Sequence, residues 1–213
     1  AGLAVFLALG AFGRLWITGD RGWGKAAWGL VFGIVCLLPF GWLAWEATRY
    51  PMVHEVTTDI ATPLPLVSPV RVAPTSAALR EAIAETFPNA RTRSYPVEAT
   101  GLFSIVERLV EQRGWDVRLR RAPPTALDMG QLNAIALTLL GWRDEVAIRV
   151  TGTAQGSTVD MRSVPLAGIT DFGENGRRIE DFLVALDDEI TRTLRDAPQP
   201  AAVPETDTGT PPA

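Results

Sequence analysis

Residues 27–45, AWGLVFGIVCLLPFGWLAW, carry no charged side chain. At a helical rise of about 1.5 Å per residue such a run crosses the ~30 Å hydrocarbon layer of a bilayer, so it is predicted to be a transmembrane helix. Pro39 lies inside it, where a missing N–H and the pyrrolidine ring favour a kink. Trp28, Trp42 and Trp45 stand near its two ends. An indole ring is comfortable at headgroup level, so these residues read as interfacial anchors rather than as ligand contacts.

The chain changes character near residue 50, because five of its seven Trp lie before that point and most of its charges after it. Residues 1–12, AGLAVFLALGAF, are apolar but too short to span alone, and Arg14 closes them. A signal-peptide core is one reading, but no basic segment precedes the run and no small-residue cleavage site follows it closely. The preferred reading is another transmembrane helix whose beginning lies ahead of Ala1. The loop after it carries Arg14, Arg21 and Lys25 against Asp20, whereas Arg49 beyond the second helix stands among Glu46 and Glu55. Positive loops stay in the cytoplasm, so the large C-terminal part is expected outside, in the periplasm of a Gram-negative host.

Several functions are disfavoured by residue usage. Cys36 is the single cysteine and sits in the apolar run, which leaves no intrachain disulfide or thiolate metal site. His54 is the single histidine, close to the membrane span, and reads as structural or solvated. A formal net charge of -4 argues against a nucleic-acid partner, which needs a basic footprint to displace counterions.

Beyond the membrane region, residues 50–75 are rich in Pro and β-branched residues and are expected to be extended, draped over the domain they enter. Thr75 or Ser76 offers an N-cap for a short helix carrying Leu79, Ile83 and Phe87, and Pro88 ends it. After a short strand at 92–95, Pro96 opens a second helix to about Arg113, with Leu102, Ile105, Val106 and Leu109 as its stripe and Gly114 as its cap. Four strands follow by alternation. Their expected core sets are Trp115, Val117 and Leu119; Ile135, Leu137 and Leu139; Val146, Ile148 and Val150; and Val159 and Met161. The other face, with Arg118, Arg120, Arg149, Arg162, Asp116, Glu145 and Asp160, reads as solvated and laced with cross-strand salt bridges. A last helix over 175–194 carries Ile179, Phe182, Leu183, Leu186 and Ile190. The fold class is therefore α+β: N-terminal transmembrane helices, then a two-layer domain of antiparallel sheet packed on helices. Its divisions are 1–49 membrane region, 50–75 extended linker, 76–195 periplasmic domain and 196–213 a Pro-rich disordered tail.

The stretch VDMRSVPLAGITDFGENGRRI, from Val159 to Ile179, resembles the closing signature of a bacterial membrane-protein family, domain of unknown function family 1499. MVHEVTTDIATPL at 52–64 resembles that family's entry segment, and LNAIALTLLGWRDEVAIRV at 132–150 its central hairpin. The family's closing pattern is R-S-x-S-R-x-G-x-S-D-x-G-x-N-x-x-R-I. This chain supplies Arg162, Ser163, Gly168, Asp171, Gly173, Asn175, Arg178 and Ile179, but has Pro165 and Leu166 in place of Ser-Arg and Thr170 in place of Ser. The resemblance implies membrane helices ahead of the domain and names no activity.

The candidate site is thus Arg162, Ser163, Gly168, Asp171, Gly173, Asn175 and Arg178. In the functional reading, Asp171, Asn175 and Arg178 converge at a helix N-terminus that would hold an anion. In the architectural reading, which is preferred, Asp171 or Asn175 caps the helix, the glycines allow left-handed turns and Arg178 ties a carboxylate such as Asp160 to the loop. No catalytic residues, cofactor or metal set is assigned. The expected function is a non-enzymatic inner-membrane protein, an accessory or scaffolding component of an envelope complex, with membrane lipids and an envelope protein as partners. The alternative is a lipid or small-anion binding module built on the loop before the last helix. An envelope hydrolase would need a nucleophile that the sequence does not announce.

Overall fold

Two helices open the chain in the computed structural model, which describes residues 2–19, 21–50, 53–70, 75–138, 141–167 and 171–196. Helix α1 (Gly2–Thr18) packs along α2 (Trp23–Arg49) through small side chains. Ala8 and Ala26 are buried, and a Cβ on Gly33 would lie 2.7 Å from Val5 Cγ2. Small residues let two helix backbones approach closely. Among the described residues α2 is the one helix long and apolar enough to cross a membrane; α1, at 17 residues, is shorter. The apolar run at 27–45 lies within α2, which continues through Pro39.

The strands are β1 (Val56–Thr57), β2 (Arg93–Tyr95), β3 (Asp116–Arg121), β4 (Met129–Leu137), β5 (Arg143–Thr153) and β6 (Gly156–Pro165). They form one antiparallel sheet in the order β1-β6-β5-β4-β3, with β2 also paired to β6. Strands β1 and β2 share the outer edge of β6, with Val56 opposite Ser163 and Arg93 opposite Val159. Helices α4 (Ala99–Gln112) and α5 (Glu174–Asp196) lie on one face of the sheet, and α3 (Ala77–Thr86) packs Leu79 and Ile83 at the margin of the core. Ser76 caps α3, accepting the Leu79 N–H at 3.3 Å, and Gly114 follows α4 with φ +65. This is the α+β architecture that the alternation and the helical stripes require.

The helix face of the sheet holds the core. Val146, Ile148 and Val150 of β5 and Val159 and Met161 of β6 face it, as expected, against Phe103, Val106, Phe182, Leu183 and Leu186. Two strands depart from expectation. On β4 the core set is Leu132, Ala134 and Ala136, while Leu137 is exposed and Ile135 points to the other face; Leu139 lies outside the described residues. The reason is room. Gly130 shares that row, and a Cβ there would meet Phe103 Cδ2 at 2.7 Å, so α4 needs the row of small residues to come close. On β3 the register shifts between Val117 and Leu119, a bulge that reverses which face each later residue takes. Arg120 consequently stands opposite Leu132 and pairs with Glu107 of α4, on the helix side. Strand β3 is an edge, largely exposed and rich in arginine, which discourages pairing with another chain.

Over β4, β5 and β6 the opposite face is not solvated, contrary to expectation, because residues 58–70 leave the β1 edge and cross it as a strap. At the β3 edge Asp116 and Arg118 are exposed and paired at 2.5 Å, as expected. Leu64 is fully buried under that strap. The strap is held by polar contacts: Glu145 accepts the Val67 and Ser68 N–H groups at 2.6 and 2.8 Å, and Asn133 Nδ2 donates to the Pro65 carbonyl at 3.0 Å. Arg149 pairs with Asp160 at 2.9 Å across the β5–β6 ladder and with Asp59 at 2.6 Å on the strap. Arg162 grips Glu55 at 2.5 Å and donates to the Leu64 carbonyl at 2.6 Å. Buried polar groups are costly unless hydrogen-bonded, and here the strap supplies the partners. The expected tail after Asp196 and the loop residue Asp20 lie outside the described residues.

Candidate functional site

Strand β6 delivers the signature into the sheet, and successive strand residues point to opposite faces. Arg162 and Ser163 therefore part company: Arg162 serves the strap, whereas Ser163, fully buried, faces α5. Gly168 lies outside the described residues. The chain re-emerges at Asp171, which caps α5 by accepting the Gly173 N–H at 3.2 Å and the Asn175 N–H at 2.8 Å. Burial pushes the Asp171 carboxyl above its usual range, against the opposing pull of those backbone bonds. Between cap and helix, Phe172 and Gly173 both take positive φ, 51 and 79. Glycine is required at 173 twice over, since the Tyr50 ring occupies the space a Cβ would need.

The first turn of α5 then closes a buried network. Asn175 Oδ1 accepts from Ser163 Oγ at 2.5 Å and from Arg178 NH1 at 2.7 Å, and Arg178 NH1 also donates to Ser163 Oγ at 2.9 Å. The other terminal nitrogen of Arg178 lies 2.7 Å from Asp144 Oδ2, an ion pair whose N–H is not aligned on the oxygen. Both side chains are more than nine-tenths buried. The carboxylate tied by Arg178 is thus Asp144, not Asp160, which is occupied on the far face by Arg149, Thr58 and Thr92. Burial raises the Asp144 pKa, Arg178 lowers it in part, and repulsion from Asp171 and Glu174 raises it again, so the net direction is up. The Nδ2 of Asn175 has no partner among the described residues. Of the candidate set, Ser163, Asp171, Asn175 and Arg178 are brought together, Gly173 shapes their turn, and Arg162 is not part of the group.

A second cluster, which the sequence reading did not single out, joins this loop to the apolar helix α2. Arg177 contacts Glu46 of α2 at 3.5 Å and Glu174 at 3.2 Å, and donates to the Phe172 carbonyl at 3.3 Å. Its guanidinium also lies 4.7 Å from the Tyr50 ring centroid. Tyr50 stacks on Phe87 with centroids 5.7 Å apart and planes 6° from parallel. The sequence held one signal for this, a buried acid, Glu46, in the last turns of an apolar helix. It also held one for Asp144 and Glu145, adjacent acids inside a β-branched strand that bury on opposite faces.

Two cavities of about 230 Å³ each lie on either side of the Glu174–Arg177 pair. One is walled by Trp42, Leu43, Thr138, Trp142 and Phe172, and the other by Arg113, Trp115, Leu137, Arg178 and Asp181. Among the described residues no group of three or more His, Cys, Asp or Glu side chains is placed to hold a metal ion. The hydrogen bonds of the network join the first turn of α5 to Ser163 of β6, and its ion pair joins that turn to Asp144 of β5. A family model described as protein of unknown function (DUF1499) matches residues 55–186, more than half of the chain and all of the sheet. No curated protein matches the sequence.

Proposed function

The chain belongs to the DUF1499 family of proteins of unknown function, and on that premise we propose that it is a membrane-anchored scaffold of the bacterial envelope. In this reading α2 crosses the inner membrane, the loop bearing Arg14, Arg21 and Lys25 stays cytoplasmic, and the α+β domain stands in the periplasm. The domain works without chemistry of its own, as an accessory component that presents a surface to another envelope protein. One observation carries the proposal: the signature clasps α2 to the domain. Glu46 and Tyr50 are held by Arg177, Phe87 and Gly173. A domain on a flexible tether samples many orientations, whereas one clasped to its helix offers a partner a fixed one, which lowers the entropy of docking. The test is affinity purification of the tagged chain in mild detergent, with and without cross-linking, followed by mass spectrometry. A stoichiometric envelope protein is the expected result, and recovery of the monomer alone under both conditions overturns the proposal.

A second reading, a lipid or small-anion module, is favoured by the polar cavity beside α5, where Arg113, Arg177 and Arg178 outnumber Glu174 and Asp181. Native mass spectrometry of the same preparation tests it. A bound anionic lipid that disappears in Arg113→Ala supports this reading, and its persistence removes the cavity as the site.

A further inference from the structure

The turn between β4 and β5 is made of residues that suit water poorly. Hairpin turns draw on Gly, Asn and Asp, yet residues 137–142 read Leu-Thr-Leu-Leu-Gly-Trp. Leu137 is 69% exposed and Trp142 46%. Among the described residues of this tip three backbone N–H groups are bonded from within. The Thr138 N–H reaches the Trp142 carbonyl at 2.9 Å, the Gly141 N–H reaches the Thr138 carbonyl at 2.9 Å, and the Trp142 N–H reaches Thr138 Oγ1 at 3.1 Å. Such closure is what a segment needs where water cannot complete its hydrogen bonds.

The tip also sits beside the apolar helix. Thr138 and Trp142 share a cavity wall with Trp42 and Leu43 of α2, which Asp171, Glu174 and Arg177 of the signature loop and α5 also line. Trp42 lies about 10 Å along the helix axis before Arg49, inside the exposed apolar surface that continues through Phe40 and Trp45. Arg143, exposed at the base of the turn, is placed as a flanking cation whose stem can lie along apolar surface while its head meets phosphate. The hairpin at the opposite end of β5 turns instead at Ala154 and Gln155, both exposed and neither a large apolar residue.

We infer that the β4–β5 tip is a second membrane contact, in which Leu137 and Trp142 enter the interfacial layer of the bilayer, Trp142 beside Trp42 and Leu43. The domain then meets the lipid surface at two places, and its rotation about α2 is fixed. The inference rests on the reading of α2 as a membrane-crossing helix. Its occupant is lipid because the tip continues the apolar surface of α2 and is flanked by a cation.

The experiment uses the full chain with Cys36→Ala, reconstituted in nanodiscs of phosphatidylethanolamine and phosphatidylglycerol. A nitroxide is attached at Leu137→Cys, at Val35→Cys in α2, or at Ala154→Cys at the far hairpin, and its accessibility to oxygen and to a nickel chelate is measured. The expected result is that Leu137 and Val35 are open to oxygen and shielded from the chelate, with Ala154 the reverse. If Leu137 behaves like Ala154 while Val35 is shielded, the tip is in water and the inference fails with anchoring intact. If Val35 is open to the chelate, anchoring itself fails and takes the inference with it. A Leu137 label shielded from both reagents means that protein covers the tip, which also overturns lipid contact. As an independent readout, brominated lipid is expected to quench the intact chain more strongly than Trp142→Phe, and equal quenching counts against the inference.

Discussion

Asp144 and Glu145 are neighbours on one strand and face two different kinds of physics. Asp144 points to the helix face, where apolar packing dominates and a buried ion pair with Arg178 ties α5 to the end of the central strand β5. Glu145 points to the strap face, where a polar lattice of Asn133, Arg149, Arg162 and strap N–H groups does the holding. Apolar burial is non-directional and does not depend on charge state, whereas the lattice depends on charge state and on each bond finding its partner. The comparison teaches that a sheet with one greasy face need not show water its other face; a Pro-rich segment with free backbone donors and acceptors can cover it instead.

The sharpest way to break this division is at Arg178. Arg178→Ala strands the Asp144 carboxylate in a buried site, a class of change that costs about 3–5 kcal/mol. Loss of the cooperative denaturant transition, followed by near-UV circular dichroism in detergent, is the expected result. The double variant Asp144→Asn with Arg178→Met should recover much of the loss, because it removes both charges. Next comes a matched pair of cavity variants. Leu186→Ala in the helix-face core should cost about 2–5 kcal/mol, and Leu64→Ala under the strap less than its counterpart, because a strap can settle into a void more readily than a helix packed among its neighbours. Equal losses from the two would mean that the strap is as rigid as the core.

Glu145→Gln tests the polar face by pH. Burial pushes the Glu145 carboxyl up, but bonds from Ser68, the Val67 N–H and Asn133 outweigh it, leaving the pKa below its usual value. A lowered folded pKa stabilises the protein fully above the unfolded pKa, and that stability drains away as pH falls through the folded one. The substitution should therefore cost about 1–3 kcal/mol near neutral pH, shrinking as pH drops below roughly 4.3. A penalty that does not change with pH would show that Glu145 acts by shape rather than by charge. Smallest of all is Arg120→Ala, which removes a solvent-screened pair with Glu107 at an exposed edge and should leave the denaturation midpoint unchanged within experimental error.

The candidate residues were legible in proportion to how local their roles are. Asp171 as a cap, Gly173 in a left-handed turn and the stripe of α5 follow from short-range geometry, and they stand where the pattern puts them. The sequence offers Arg178 as a tie to a carboxylate, but its partner lies 34 positions away on β5, and spacing cannot choose between Asp144 and Asp160. Arg177 and Tyr50 were invisible because the contact between them exists only once α2 and α5 meet.

By itself the sequence determined the membrane-length apolar helix, the positions of α3, α4 and α5, the alternation of β5 and β6 and the α+β class, since each follows from periodicity, capping and charge within a few residues. The tertiary structure alone decided the phase of β4, the reversal in β3, the covered polar face and the clasp on α2. A period of two says that a strand has two faces and leaves open which one is buried. On β4 apolar residues fall in both rows, Leu132, Ala134 and Ala136 in one and Ile135 and Leu137 in the other, and the close approach of Phe103 to Gly130 selected the row with small residues.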